Sequence, residues 1–452
     1  MKTELHDYDI FPKVFLVRQS ARITIKPLGK HAAFEGDYTA AVLSMACGSP
    51  ALYPHHNPYC EYPVSVEADG CIRITHVFQE EGEYRIRICR NGESKADLSV
   101  YALEEDMRGR YPYRGDLHMH TFRSDGREDP AVVAANYRKN GYDFTVISDH
   151  GRYYPSLEAI DAYKDVPHEL NIVFGEEIHL PGNDVHIVNF GSTYSVNGLW
   201  NLSAQNLESD RRAVTDNPPP ILTEEEYREE VHALIPELEI PEGIDPFTYA
   251  SCVWIFRHIR NGGGLGIFAH PYWIVGPYQV PEALCEYLTA THPFDAFEVL
   301  GGERYYQQNG FQTMRYYEDR AKGIHYPIVG STDSHNSLPE ANQNALLCST
   351  FVFAKENERT ALISAIKDEY SVAVDTISSE YRLVGEMRLA KYTRFLLDEF
   401  TPLHDELCFE EGRLMKAYAV GDPSAAEGLT FLSGRMKKLY EKYFDITPGE
   451  NN

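Results

Sequence analysis

Hydrophobic and polar positions along this chain follow one pattern before about residue 110 and another after it. Between about residues 11 and 104, short β-branched and aromatic stretches recur at 14–27 (VFLVRQSARITIKP), 39–45, 71–78, 84–90 and 97–103, separated by Gly, Pro, Asn and Asp. Short strands at that spacing, bounded by turn residues, predict a β-sandwich accessory domain over 1–110. After Tyr111, apolar strands alternate with amphipathic helical segments, the arrangement of parallel strands joined by crossover helices. The strand segments are RGDLHMH (114–120), FTVISDH (144–150), NIVFGEEIHL (171–180), VHIVNFG (185–191), LGIFAHP (265–271), AFEVLGG (296–302) and YPIVGSTDSH (326–335). Seven such units over 111–378 predict a β/α barrel of the TIM type. Two helical stretches at about 203–262 interrupt the alternation and read as an insertion. Helical spacing of apolar residues from 379 to 452 predicts a C-terminal helical extension.

A chain of 452 residues exceeds the roughly 100 to 200 residues of an ordinary domain, which agrees with several domains. Sixty-eight acidic against 42 basic residues leave a net charge of -26. That field repels polyanions, so long nucleic acid is not an expected partner. A small phosphorylated substrate is still admissible, because bound cations invert the local charge of a pocket. The eight cysteines form no CxxC pair, which favours free thiols in a reducing compartment, with a disulfide among Cys47, Cys60, Cys71 and Cys89 as the alternative. The N-terminus lacks the basic start and apolar core of a signal peptide, and no run approaches the roughly 20 apolar residues of a membrane span. The expectation is a cytoplasmic protein with no membrane partner.

The chemistry lies at the strand ends. Side chains two apart on a strand share a face, so His118 and His120 in DLHMH can reach one ion together, as can Asp333 and His335 in STDSH. Other strands deliver His150, His186 and His270 near their ends, and Glu177 and Asp125 add carboxylates. A single histidine after a strand is ordinarily structural, but six histidines and three carboxylates repeating this placement point to a metal site. Nine donors exceed the four that satisfy one tetrahedral zinc, which implies two or three divalent ions. Imidazole mixed with carboxylate suits Zn, Mn or Fe.

The motifs DLHMHTFRSDG, ISDH, FGEE followed by HIVNFG, FAHP and STDSH resemble the PHP family, named for polymerase and histidinol phosphatase, over about residues 113 to 376. The resemblance implies a distorted seven-stranded β/α barrel and a trinuclear metal centre that hydrolyses phosphoesters. It also implies that His118, His120, Asp125, His150, Glu177, His186, His270, Asp333 and His335 are the metal ligands, with Glu177 rather than Glu176 filling its position. On the same grounds Asp149 orients rather than binds. Asp116 becomes the orienting partner of a ligand histidine.

The expected reaction is attack by a metal-bridging hydroxide on the phosphorus of a small molecule such as a sugar phosphate, nucleotide or phosphorylated metabolite. Arg152 and Arg304, on loops after strands, are candidates for orienting the phosphate, the alternative being solvated surface arginines. His179, two after Glu177, is a candidate phosphate contact or proton donor, the alternative being a core histidine. The acidic helix near 223–239 reads as a solvated face that could also serve as a lid. Competing readings are an amidohydrolase-type enzyme cutting a C–N or C–O bond, and a module that holds metal while binding a carbohydrate or protein.

Overall fold

The computed structural model describes residues 4–48, 60–200, 212–301, 306–338, 348–376 and 382–447. By internal contacts the chain divides into two compact units: residues 1–111 with 386–407 and 434–452, and residues 112–385 with 408–433. The tail beyond 379 is thus shared between them and does not stand as a body of its own.

The first unit stacks two sheets. Strands β1 (Tyr8–Phe11), β3 (Ser20–Pro27) and β6 (Ile72–Val77) form an antiparallel three-stranded sheet in the order β1-β3-β6. The other sheet contains β2 (Val14–Leu16), β4 (Asp37–Ser44), β5 (Cys60–Ser65), β7 (Gly82–Arg90) and β8 (Glu93–Leu103), and the short strand Phe444–Asp445 extends its β2 edge. Period-two alternation turns Ile23, Ile25, Ile72 and Ile74 of one sheet and Ile86, Ile88, Leu98 and Val100 of the other into a single core. All eight cysteines are free thiols.

The second unit corrects the barrel expectation: its strands form two sheets, not a closed barrel. In one, β9 (Tyr111–Asp116), β10 (Phe144–Val146), β11 (Asn171–Val173), β17 (Cys348–Ala354), β18 (Ser371–Asp375) and β19 (Arg382–Val384) run in the order β11-β10-β9-β17-β18-β19. In the other, β12 (Gly175–Leu180), β13 (Asn183–Phe190), β14 (Leu265–Phe268), β15 (Ala296–Leu300) and β16 (Ile328–Gly330) lie in chain order. Strands β17, β18 and β19 are additional to the seven read from sequence. The segment 171–180 is two strands, one in each sheet.

Among the described residues, only isolated bridges, Met119↔Ser334 and His150↔Glu177, join the end of β9 to that of β16 and the end of β10 to β12. Sustained ladders fail there because the chain leaves extended geometry, with Asp333 at φ 49°. Close packing of β9 on β10 needs Gly115, where a Cβ would sit 2.1 Å from the Phe144 ring.

Helices cover the sheets in the amphipathic manner expected. Pro130–Lys139 starts on an Asp129 cap, and Pro246–Asn261 starts on an Asp245 cap and buries Trp254, Ile255 and Phe256. Within the insertion, Glu224–Leu234 opens with a Thr223/Glu226 capping box and buries Tyr227 and Val231. Tyr227 hydrogen-bonds Ser251 at 2.8 Å, so this acidic helix is anchored in the core by one face and solvated on the other. No helix among the described residues is long and apolar enough to cross a membrane.

Candidate metal centre

The strand ends of the second unit bring all nine predicted donors into one cluster. His118 and His120 follow β9 on one face and are 0% and 1% exposed. Glu177, on β12, lies at the centre. Its Oε1 is 2.6 Å from His186 Nδ1 and 3.9 Å from His270 Nε2. Its Oε2 is 2.6 Å from His150 Nδ1, 3.3 Å from His118 Nε2 and 3.4 Å from His120 Nε2. Asp333 bridges in the same manner: Oδ1 is 2.9 Å from His120 Nε2 and 3.3 Å from His118 Nε2, and Oδ2 is 3.7 Å from His270 Nε2. Asp125 Oδ2 lies 3.2 Å from His335 Nε2 and 3.5 Å from His150 Nε2.

The cluster subdivides into overlapping groups whose donor atoms lie within 4.8 Å of one another, including His120/Asp125/His150/His335, His118/His120/Glu177 and His118/His270/Glu298. Two of these residues hold left-handed backbone, His270 at φ 22° and Asp333 at φ 49°, a conformation that non-glycine residues keep only where the surroundings enforce it.

These donors fit a bound cation. His118 Nε2, both Glu177 carboxylate oxygens, His186 Nδ1 and both ring nitrogens of His270 are buried without a hydrogen bond, so even the 2.6 Å approaches to Glu177 lack hydrogen-bond geometry. Each buried polar atom left so costs roughly 1–3 kcal/mol, and coordination to a shared cation would offset that cost. Nitrogen and carboxylate donors without a thiolate suit a divalent first-row metal.

Electrostatics agree with this. Burial favours protonation of Glu177, Asp333 and Asp125, yet the surrounding histidines outweigh it and hold all three well below the usual carboxylate range. Burial pushes His270 down to about 3, the neutral form a ligand requires. Burial also opposes the charging of His118, but Asp333, Glu177 and Glu298 drive it well above normal. Carboxylates and histidines of the cluster thus stabilise one another's charged forms.

Glu298 is a member that sequence reasoning passed over. Fully buried on β15, it accepts from His118 Nδ1 at 3.0 Å, which leaves Nε2 of that ring to face Glu177 and Asp333. Burial pushes its carboxyl up to about 7. A lone charged residue inside the apolar run AFEVL was the available signal. Glu298→Gln should weaken metal affinity by about 10- to 100-fold while the chain stays folded, as read by chelator competition and circular dichroism. Unchanged affinity would rule out this orienting role.

Asp116 takes a different role from the expected one. It accepts from the backbone N–H of His118 and of Thr332, both at 3.1 Å, and from Thr332 Oγ1 at 2.6 Å. It therefore ties together the backbone of two donor-bearing strands and orients no imidazole, because its side chain points between β9 and β16. Asp149 is likewise a brace: it accepts from Thr121 N at 2.9 Å, Ser124 N at 3.0 Å and Thr121 Oγ1 at 2.7 Å, fixing the loop that carries Asp125.

Glu176 faces away and accepts from Ser195 Oγ, Val196 N and Asn197 Nδ2, so it is Glu177 that enters the cluster. His179 does reach it, with Nε2 2.7 Å from His150 Nδ1 and a side chain 37% exposed. Arg152 donates to the carbonyl of Arg123, a bond that engages it in holding the first-motif loop. Arg304 lies outside the described residues.

No protein-family model and no curated protein matches the chain. Solved structures similar to it include a two-domain protein from Bacteroides vulgatus, described as containing a predicted PHP-like metal-dependent phosphoesterase, at 17% identity over 59% of this chain and 65% of the other with a TM-score of 0.38. The chain thus spans just under two thirds of that protein's length. A protein from Bifidobacterium adolescentis assigned as a metal-dependent phosphoesterase aligns at 17% identity over 51% of this chain and 92% of the other, with a TM-score of 0.32. An amidohydrolase from Chromobacterium violaceum aligns at 20% identity over 51% of this chain and 91% of its own, with a TM-score of 0.31.

Proposed function

We propose that this protein is a hydrolase that holds two or three divalent cations and cleaves a phosphoester of a small molecule. The observation that carries this reading is the double-sided use of Glu177, whose two oxygens face separate groups of histidines, with Asp333 repeating the arrangement. Bridging carboxylates of this kind serve adjacent ions. When bound, the ions would supply a water acidified towards neutral pKa and would neutralise charge on the phosphoryl oxygens.

The chain's own residues do the rest. Glu298 orients His118, Asp116 and Asp149 fix the backbone that presents the donors, and His179 Nε2 at the exposed edge is placed to hold or pass a proton. Zn, Mn and Fe are the cations that the donor set favours.

Metal analysis of purified protein, combined with a panel of phosphomonoesters and phosphodiesters before and after chelation, tests this. The expected result is more than one equivalent of metal per chain, with turnover lost on chelation and restored by Zn, Mn or Fe. Full activity in metal-depleted protein, or a fully metallated protein that turns over no phosphoester, would overturn it. In the second case, turnover of an amide or lactone panel would establish the amidohydrolase reading instead.

A further inference from the structure

The side chains of the cluster are unequally exposed. His118, His120 and Glu177 are 0% accessible, whereas those of Asp125, His150, His179 and His335 are 53%, 28%, 37% and 27% exposed. A substrate must arrive on the second side. Next to that opening the chain runs from His270 directly into a tight hairpin, where Trp273 N donates to His270 O at 2.9 Å and Gln279 N donates to Trp273 O at 2.8 Å. An Ile274↔Tyr278 bridge closes the hairpin, and Gln279 Nε2 ties it to the Asp184 carbonyl at 2.9 Å.

The Trp273 ring lies 5.8 Å from the His186 ring and 5.7 Å from that of His270, and His186 is 4.7 Å from His179 at the exposed edge. The indole is therefore a partly exposed wall beside the reacting groups, held by a fixed turn. At the hairpin tip Ile274 and Val275 are 45% and 54% exposed, and Val275, two residues on from Trp273, is the one that alternation puts on the side of the indole. Tyr272 and Tyr278 pack against Phe311 at 6.0 and 6.3 Å, and Phe311 is itself 41% exposed. An apolar surface that the fold leaves uncovered and that runs up to a candidate active site marks where a ligand's apolar part is received.

Resting on the phosphoesterase reading above, we propose that Trp273 and its hairpin bind an aromatic ring of the substrate, so that the esters this protein accepts are aryl- or nucleobase-bearing and not polyol phosphates. A polyol would need hydrogen-bonding partners where the hairpin offers a partly exposed indole and, at its tip, an exposed Val275. A planar ring stacked on the indole fits it, with the phosphoryl group directed to the exposed donors.

Calorimetric titration of the metal-loaded full chain with 1-naphthylphosphonate and with methylphosphonate, neither of which is hydrolysed, tests the proposal. The naphthyl compound should bind about tenfold more tightly or better. Trp273→Ala should remove that preference without changing the methylphosphonate constant, and Trp273→Phe should keep most of it. Metal content is measured alongside. If Trp273→Ala loses metal, Val275→Asp puts a charge two residues along from the indole and away from the donors, and should lower the naphthyl preference at least about threefold. Equal binding of the two phosphonates, or a preference that survives Trp273→Ala and Val275→Asp, overturns the aromatic wall. Binding of neither phosphonate overturns the phosphoester reading itself, and the proposal with it.

Discussion

Glu177→Ala protein is expected to purify with little or no bound metal and to turn over phosphoesters about a thousandfold more slowly or worse. A factor of a thousand corresponds to about 4 kcal/mol of lost transition-state stabilisation. The magnitude follows from position. Among the described residues Glu177 is the one carboxylate that lies within 4 Å of all five of His118, His120, His150, His186 and His270, so its loss removes the anion that joins Asp333's histidines to His150 and His186.

The fold should survive, because Glu177 makes no side-chain hydrogen bond that the sheet relies on; both its oxygens lack one. Glu177→Gln, with the same shape, should lose metal almost as completely, since the amide keeps one neutral oxygen and no charge. Metal analysis and kinetics on the same preparation decide the matter. A Glu177→Ala protein that keeps its full metal complement would remove Glu177 from the centre.

Arg138→Met is expected to destabilise the metal-bearing unit by about 3–5 kcal/mol, lowering its melting temperature by about 10 °C. Arg138 is 1% exposed and among the largest side chains the fold buries completely. It donates to Asp143 Oδ1 and to the carbonyl of Tyr142, both at 3.0 Å, and to Glu411, which in turn accepts from Glu169 N at 2.9 Å.

Methionine fills much of the space but supplies no charge, so the buried carboxylates of Asp143 and Glu411 lose the guanidinium that they share. The pair is costly to break even though forming it contributes little net stability, because desolvation of both partners has already occurred. Adding Glu411→Leu to Arg138→Met should recover part of the loss, since the second orphaned charge is then gone. A melting temperature within a degree or two of the parent would show that the site tolerates loss of the guanidinium, against this account. Differential scanning calorimetry provides the readout.

Much of the candidate centre was legible in sequence because its information is local. In DLHMH the period of two sets side-chain direction wherever the strand is placed, so pairing His118 with His120 required no tertiary knowledge; Asp333 and His335 do reach the cluster, but beyond the end of β16 and with Asp333 in left-handed backbone. The preference for Glu177 over Glu176 rests on the family resemblance; the strand period adds only that the two face opposite ways. One enters the cluster while the other binds Ser195, Val196 and Asn197.

Roles that depend on what lies across a sheet were not legible. Asp116 and Asp149 are neighbours of donors in the chain, which suggested that they orient ligand side chains. Their actual partners are backbone and hydroxyl groups of Thr332, Thr121 and Ser124, brought near by strand packing. Glu298 is 180 residues from His118 in sequence, and no local pattern links them. The closed barrel failed for a related reason. Counting strands gives their number, not their pairing, and β17, β18 and β19 take the edge of β9 that a closed barrel would have used differently.

What the sequence by itself determined was the alternation of strand and helix, the face each donor occupies and the donor chemistry, since these follow from backbone periodicity and residue type. Only the tertiary structure decided that two sheets, and not one barrel, bring the strand ends together, that Glu177 lies between two sets of histidines, and that Glu298 stands behind His118. It also decided that Trp273 flanks the opening. Each of these is a distance between residues far apart in the chain, set by which sheet edges meet and which side chains are buried together, and no local period encodes it.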